Sequence, residues 1–263
     1  MHRLSRIYVV GAFALGVQLV AGAARADQIG PYASRSLTLG QGTVRIDGGP
    51  PDYGYFHPGS PQWINENRGL RLRSWDNDEA SWMGVGLAYG ATDDVEVGGL
   101  LLPLRLDPDP TVDDLELYGR FRFLSREFEM AAQVTVQLPA ETEFGLGLGL
   151  PMLAHATDHM RIDTGFEFEM LFWDPDTVVS LDVPLAFTWD VARYGFLGLR
   201  TGLYVWDMEA LLIPAGMHGG VVVAKGHLDV AGWFLWPGFF GTERDDPFDI
   251  RTFELGFGLN GKI

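Results

Sequence analysis

Glu116, Arg120, Arg122, Glu127, Glu129, Arg161, Asp163, Glu167, Glu169, Asp182, Arg200, Asp229 and Glu254 are set into otherwise apolar segments. Within each segment they recur at intervals of two residues or multiples of two. Carboxylates and guanidiniums gathered on one surface hold water, pair with one another and discriminate between ions. That chemistry suits a polar passage for small solutes, with Arg and Glu tuning selectivity. The same residues also suit a salt-bridged filling of a narrow interior, and both readings stand at this stage.

Bond-making chemistry has less support. The chain lacks Cys, which excludes disulfides, thiolate nucleophiles and zinc-thiolate sites. No Gly-x-Ser-x-Gly, Ser-x-x-Lys or His-Glu-x-x-His element is present. Ser125 falls in an expected turn, and Ser180 has no evident His partner. His218 and His227 are expected to face inward as hydrogen-bonded residues. In the run Phe144 to Leu150 glycine occupies alternate positions of a strand, unlike a phosphate loop. There it either widens the interior or accommodates a large neighbouring side chain. We therefore expect no enzyme, no cofactor and no assigned metal site.

The elements that position these charges are strands. In Met160 to Phe172, the residues Ile162, Phe166, Phe168, Met170 and Phe172 alternate with Arg161, Asp163, Gly165, Glu167 and Glu169. Successive strand side chains lie on opposite faces, so one face is apolar and the other charged. The pattern recurs at Leu115 to Phe123, Phe128 to Leu138, Val179 to Trp189 and Phe253 to Leu259. About twelve strands are predicted, over 36–46, 81–90, 94–106, 114–124, 126–138, 143–153, 159–173, 177–190, 194–206, 211–224, 226–237 and 250–262. Most are long enough for a tilted membrane crossing. No period of 3.6 residues persists. A register shift is expected near Gly98-Gly99. A two-residue turn at Leu124-Ser125 would place Phe121 opposite Phe128, Arg122 opposite Glu127 and Arg120 opposite Glu129, with both faces matched.

Aromatic residues gather toward strand ends, at Tyr89, Phe172, Trp173, Trp189, Tyr194, Tyr204, Trp206, Trp233, Trp236 and Phe239. Amphipathic rings suit membrane boundaries. The connections fall into two sets. Ala91–Asp93, Leu124-Ser125, Ala154–Asp158, Val191–Arg193 and Lys225-Gly226 are short, which suits a periplasmic side. The set at Asp47–Ala80, Asp107–Asp114, Pro139–Glu143, Asp174–Asp176, Asp207–Glu209 and Gly238–Asp249 is mostly longer and acidic, which suits an outer side. Its acids would attract cations, including divalent ones. The long outer loop 47–80 is aromatic; it either folds into the mouth, lies over the rim, or contributes Gly69–Trp75 to an extension of the second strand.

Residues 1–26 read as a cleaved signal peptide. Arg3 and Arg6 precede an apolar run that ends in Ala24-Arg25-Ala26. Removing 26 of 263 residues leaves 237 as one expected domain, 27–263. Without Arg3, Arg6 and Arg25 the basic residues fall from 19 to 16, against 35 acidic, for a formal charge of −19. Nucleic acid is excluded as a partner on charge.

With an export signal, alternating strands, aromatic strand ends and alternating short and long connections, residues 36–263 resemble Gram-negative outer-membrane β-barrel proteins. The resemblance implies an all-β, closed, antiparallel up-and-down transmembrane β-barrel of about 12 strands in the outer membrane, with lipid as partner. Such proteins often finish on an aromatic residue, whereas this chain ends Gly261-Lys262-Ile263. The expected function is a small channel or transporter for small solutes. The alternative is a non-conducting structural or adhesion barrel. A soluble exported β-protein is a third reading, excluded if the chain fractionates with membranes.

Overall fold

Thr177–Asp190 shows how the alternation is used. Val178, Ser180, Asp182, Pro184, Ala186 and Thr188 are buried, while the apolar residues between them, from Val179 to Trp189, are more open. Phe128–Leu138 repeats this, with Glu129, Ala131, Gln133 and Thr135 buried and Phe128 and Val134 exposed. Polar side chains are covered and large apolar ones are not, the reverse of a water-soluble sheet.

The computed structural model describes residues 32–48, 72–75, 82–105, 111–112, 115–139, 144–172, 177–206, 208, 210–223, 227–241 and 252–262. The expected signal peptide, most of loop 47–80 and nearly all of the acidic residues in the longer connections lie outside these. The described elements are a 3-10 turn at Tyr32–Ser34 and strands β1 (Thr43–Gly48), β2 (Leu72–Trp75), β3 (Trp82–Gly90), β4 (Val95–Arg105), β5 (Thr111–Val112), β6 (Leu115–Leu124), β7 (Phe128–Leu138), β8 (Phe144–Thr157), β9 (Met160–Phe172), β10 (Thr177–Asp190), β11 (Gly195–Trp206), β12 (Ala210–Val223), β13 (Leu228–Gly241) and β14 (Thr252–Lys262).

All strands belong to one antiparallel sheet. From β6 to β14 each strand pairs with its neighbour in sequence, as an up-and-down meander does. β4 pairs with β3 and β6, and β1 pairs with both β3 and β14. β2 runs in the direction of β1, pairing Leu72–Trp75 with the first half of β14 and Arg73 with Trp82 of β3. β1 and β2 thus occupy successive parts of one strand position. Of the three readings of loop 47–80, the one that gave Gly69–Trp75 to the second strand is replaced by this: residues 72–75 continue the first strand.

Three expectations need correction. Residues 36–42 are not a strand; β1 begins at Thr43. The turn after β6 spans Ser125–Glu127, and a shift between Arg122 and Leu124 sets the register. Phe121 lies opposite Ala132, Arg122 opposite Ala131 and Arg120 opposite Gln133, not opposite Phe128, Glu127 and Glu129. Direct cross-strand charge pairs contribute only a few tenths to about 1 kcal/mol; here the charges meet other partners. The register shift expected near Gly98-Gly99 is present two residues on, at Leu101, between the pairs Gly86–Leu100 and Val85–Leu102.

Prolines interrupt the ladder without leaving carbonyls bare. The β9–β10 pairing skips Pro184, whose carbonyl accepts a bond from Thr164 Oγ1 at 2.9 Å; Pro214 receives the same from Thr201 at 2.9 Å. Proline lacks the N–H a ladder needs, so a neighbouring hydroxyl partly restores the bonding.

Candidate functional site

The buried face of the sheet carries a charged network, and residues 32–39 lie against it. Their alternation of Ser36, Leu37, Thr38 and Leu39 imitates a strand, yet their bonds go to side chains of the sheet. Glu129 on β7 is the hub. Its Oε2 accepts from Ser36 Oγ at 2.6 Å, from the Leu37 N–H at 3.0 Å and from Arg122 at 3.1 Å. Its Oε1 faces His155 Nε2 at 3.2 Å, and His155 Nδ1 faces the Ala33 carbonyl at 3.0 Å. Both ring nitrogens thus face acceptors.

The remaining bonds follow the segment residue by residue. The Ala33 N–H reaches Asp190 Oδ2 at 3.1 Å. Arg161 donates to the carbonyls of Tyr32 at 3.4 Å and Arg35 at 3.2 Å. Arg120 donates to the Leu37 carbonyl at 2.6 Å, Thr38 Oγ1 to the Asp93 carbonyl at 2.8 Å, and the Leu39 N–H to Glu96 at 2.7 Å. Hydrogen bonds to charged groups contribute about 1.5–3 kcal/mol each. Arg122 also holds Asp94 at 2.8 Å and donates to Ser36 Oγ, so one guanidinium ties the turn, the sheet and the segment.

Apolar contacts anchor the segment at two points. The Tyr32 ring stacks on Phe196 of β11, with centroids 4.1 Å apart, in a buried group with Val222. The Arg161 guanidinium lies 5.3 Å from the same ring. Leu37 packs in a second buried group with Ala131 and Leu153. Gly42, with φ at 73°, adopts the left-handed conformation that turns the chain from this segment into β1. Gly90 permits the approach, because a Cβ there would come within 2.6 Å of the Leu39 carbonyl oxygen.

The residues expected to line a lumen divide as follows. Arg120, Glu129, Arg161, Asp163, Glu167, Asp182 and Arg200 are buried; Arg161 and Asp163 are 0% exposed and paired with each other. Arg122, Glu116 and Glu169 are partly covered. Glu127 departs from the expectation: it is exposed in the turn after β6, because the register shift moves it off the strand. The backbones of Asp229 and Glu254 pair with Val222 and Trp233; their side chains lie outside the described set.

Sequence reasoning missed several members of this face. Glu96, Arg45 and His155 were not singled out as lining residues, yet Glu96 and Arg45 are buried and His155 bonds the segment. Tyr204, expected at a membrane boundary, is buried instead. Phe196 carried a readable signal: it is an aromatic on the face that also holds Gly198 and Arg200. The glycines of β8 make room for neighbours. A Cβ on Gly147 would meet Glu167 Oε1 at 2.8 Å and Thr135 Cβ at 3.1 Å. His218 is buried, as expected, with Nε2 2.9 Å from Thr188 Oγ1.

No family model matches the chain, and no curated protein matches it in sequence. Among solved structures, the chain is similar to the NanC porin in a rhombohedral crystal form, with a TM-score of 0.54 at 9% identity, over 73% of this chain and 98% of that one. It is also similar to a loop L8 deletion mutant of OmpT, an outer membrane protein of Vibrio cholerae, with a TM-score of 0.37 at 9% identity, over 84% of this chain and 100% of that one. In vitro folded OmpT gives a TM-score of 0.32 at 9% identity, over 89% and 100%. These structural neighbours are outer-membrane β-barrel proteins, and the likeness to the NanC porin extends to the fold.

Proposed function

We propose that the chain forms a closed twelve-stranded barrel in the outer membrane of a Gram-negative bacterium, with a charged lumen that passes small solutes. The observation that carries this reading is the inverted burial of the sheet. Phe121 and Leu148 are 54% and 55% exposed, while Arg161 and Asp163 are fully covered. In water, each large apolar side chain left outside forgoes about 1.5–3 kcal/mol of burial. Lipid removes that penalty, and on the inner side the covered charges are offset by pairing, as Arg161 is with Asp163.

Closure is supported by β1, which pairs with β14 on one side and β3 on the other. The ring then consists of β1, β3, β4 and β6 to β14. The short turns would face the periplasm after export through the signal peptide. The acidic longer connections would face outward, where they attract cations and give divalent ions a place to bind. The reading includes no catalysis.

A second reading, a non-conducting structural barrel, is favoured by one observation: residues 32–39 occupy part of the buried face. Planar bilayer recording separates the two. Stable current steps support the channel, whereas silence from folded, membrane-inserted protein supports the second reading. Recovery of the chain in the soluble periplasm without detergent would defeat both.

A further inference from the structure

We propose that residues 32–39 are a plug inside the lumen at its short-turn end, and that its displacement gates the channel; this rests on the channel reading above. Within the ring, the segment begins at Tyr32 against Phe196 of β11 and Val222 of β12. It ends at Leu39, bonded to Glu96 of β4. Seven pairings separate β12 from β4 one way round and five the other, so the two ends sit on nearly opposite walls. Between them the segment is bonded from β6, β7, β8, β9 and β10 through Arg120, Glu129, His155, Arg161 and Asp190. Its ends are held by nearly opposite walls and its middle by the strands of the longer arc, so the segment sits inside the bore on that side.

The level of the segment follows from the turns. Thr38 and Gln41 bond to Asp93 in the β3–β4 turn, and Arg122 ties Ser36 to that same turn. The segment therefore lies at the end carrying the short connections.

The type of bonding makes the plug separable from the wall. Wall carboxylates accept from its N–H groups, and wall cations donate to its carbonyls. The bonds that hold residues 33–39 to the wall use side chains rather than a strand ladder. The barrel's own strand pairing does not depend on them, and water can replace such partners in a polar lumen. An extended peptide of matching sequence would meet the same donors and acceptors.

The absence of cysteine makes the test clean. Deleting Tyr32–Leu39 behind the intact signal segment should raise single-channel conductance or open probability at least twofold. A synthetic peptide, Tyr-Ala-Ser-Arg-Ser-Leu-Thr-Leu, should return it toward the wild-type level from the short-turn side alone. If deletion harms folding, the full chain carrying Leu37→Cys and Leu153→Cys can be joined by a cleavable bis-thiosulfonate linker. The joined protein should stay closed until reduced. A third measurement is independent of current: Leu37→Cys alone should resist a bulky maleimide at least tenfold better than an exposed cysteine at Val191→Cys. Equal conductance with and without the segment overturns the plug, and so does rapid labelling at position 37. If wild type and deletion are both silent in folded samples, the channel reading and its gate fail together. Protection at position 37 would then mark the segment as a fixed filling.

Discussion

The ring of Tyr32 lies nearly parallel to that of Phe196, 14° apart and with centroids 4.1 Å apart, on the buried face of the sheet. One residue belongs to the segment before the first strand and the other to β11. Such a pair contributes about 0.5–1.5 kcal/mol beyond its buried area. A double-mutant cycle with Tyr32→Leu and Phe196→Leu should recover a coupling of that size from urea unfolding in lipid vesicles. Additive losses would show that the rings act separately.

Glu129 gathers four partners, from Ser36, Leu37, Arg122 and His155. Replacing it with Ala leaves the buried Leu37 N–H without its acceptor, while Arg122 keeps Asp94. We expect a loss of about 1–3 kcal/mol, with Glu129→Gln falling between wild type and Glu129→Ala. The unfolding midpoint in urea measures both variants, and an unchanged midpoint for Glu129→Ala would remove Glu129 from its place as hub.

Gly90 admits the Leu39 carbonyl. Gly90→Ala should force the segment away from the wall at a cost of about 1–3 kcal/mol. Trypsin reports the displacement, since Arg35 lies within the segment. Cleavage after Arg35 should be slow in the native protein and fast in the variant.

Leu148 is exposed on the outer side of β8. Leu148→Arg should weaken folding into lipid by about 2–4 kcal/mol if the residue sits near the membrane centre. Leu148→Ala should cost much less. Similar folding yields for the Arg and Ala variants would argue against lipid contact at that surface.

The register of the β6–β7 hairpin is open to a chemical check. Directly paired strand residues bring their Cβ atoms to about 4.5–5.5 Å. Phe121→Cys with Ala132→Cys should crosslink under mild oxidation and change gel mobility. Phe121→Cys with Phe128→Cys should not.

Much of the fold was legible because a strand with unlike faces writes a period of two into the chain. The expected 177–190 coincides with β10, and most other expected strands agree within two residues at each end. Residues 36–42 escaped because Ser36-Leu37-Thr38-Leu39 has the same period. Alternation records that two sides differ, and Leu37 satisfies it against Ala131 and Leu153 without any ladder. The hairpin after β6 escaped because the expectation matched charges within the two strands alone. Glu129 and Arg122 instead spend their bonds partly on Ser36 and Leu37, from far earlier in the chain. Most of the inward charges were readable from phase; the object they hold was not.

The shared strand position of β1 and β2 has a consequence for how the molecule tolerates interruption. Both pieces pair with β14, and both meet β3, so the seam between Gly48 and Leu72 is bridged sideways by its neighbours. A chain cut within 49–71 would keep the described strand pairings of both fragments. The N-terminal fragment, carrying residues 32–48, could then be supplied as a separate polypeptide. The sheet would become a two-component assembly in which the smaller component brings residues 32–39 with it.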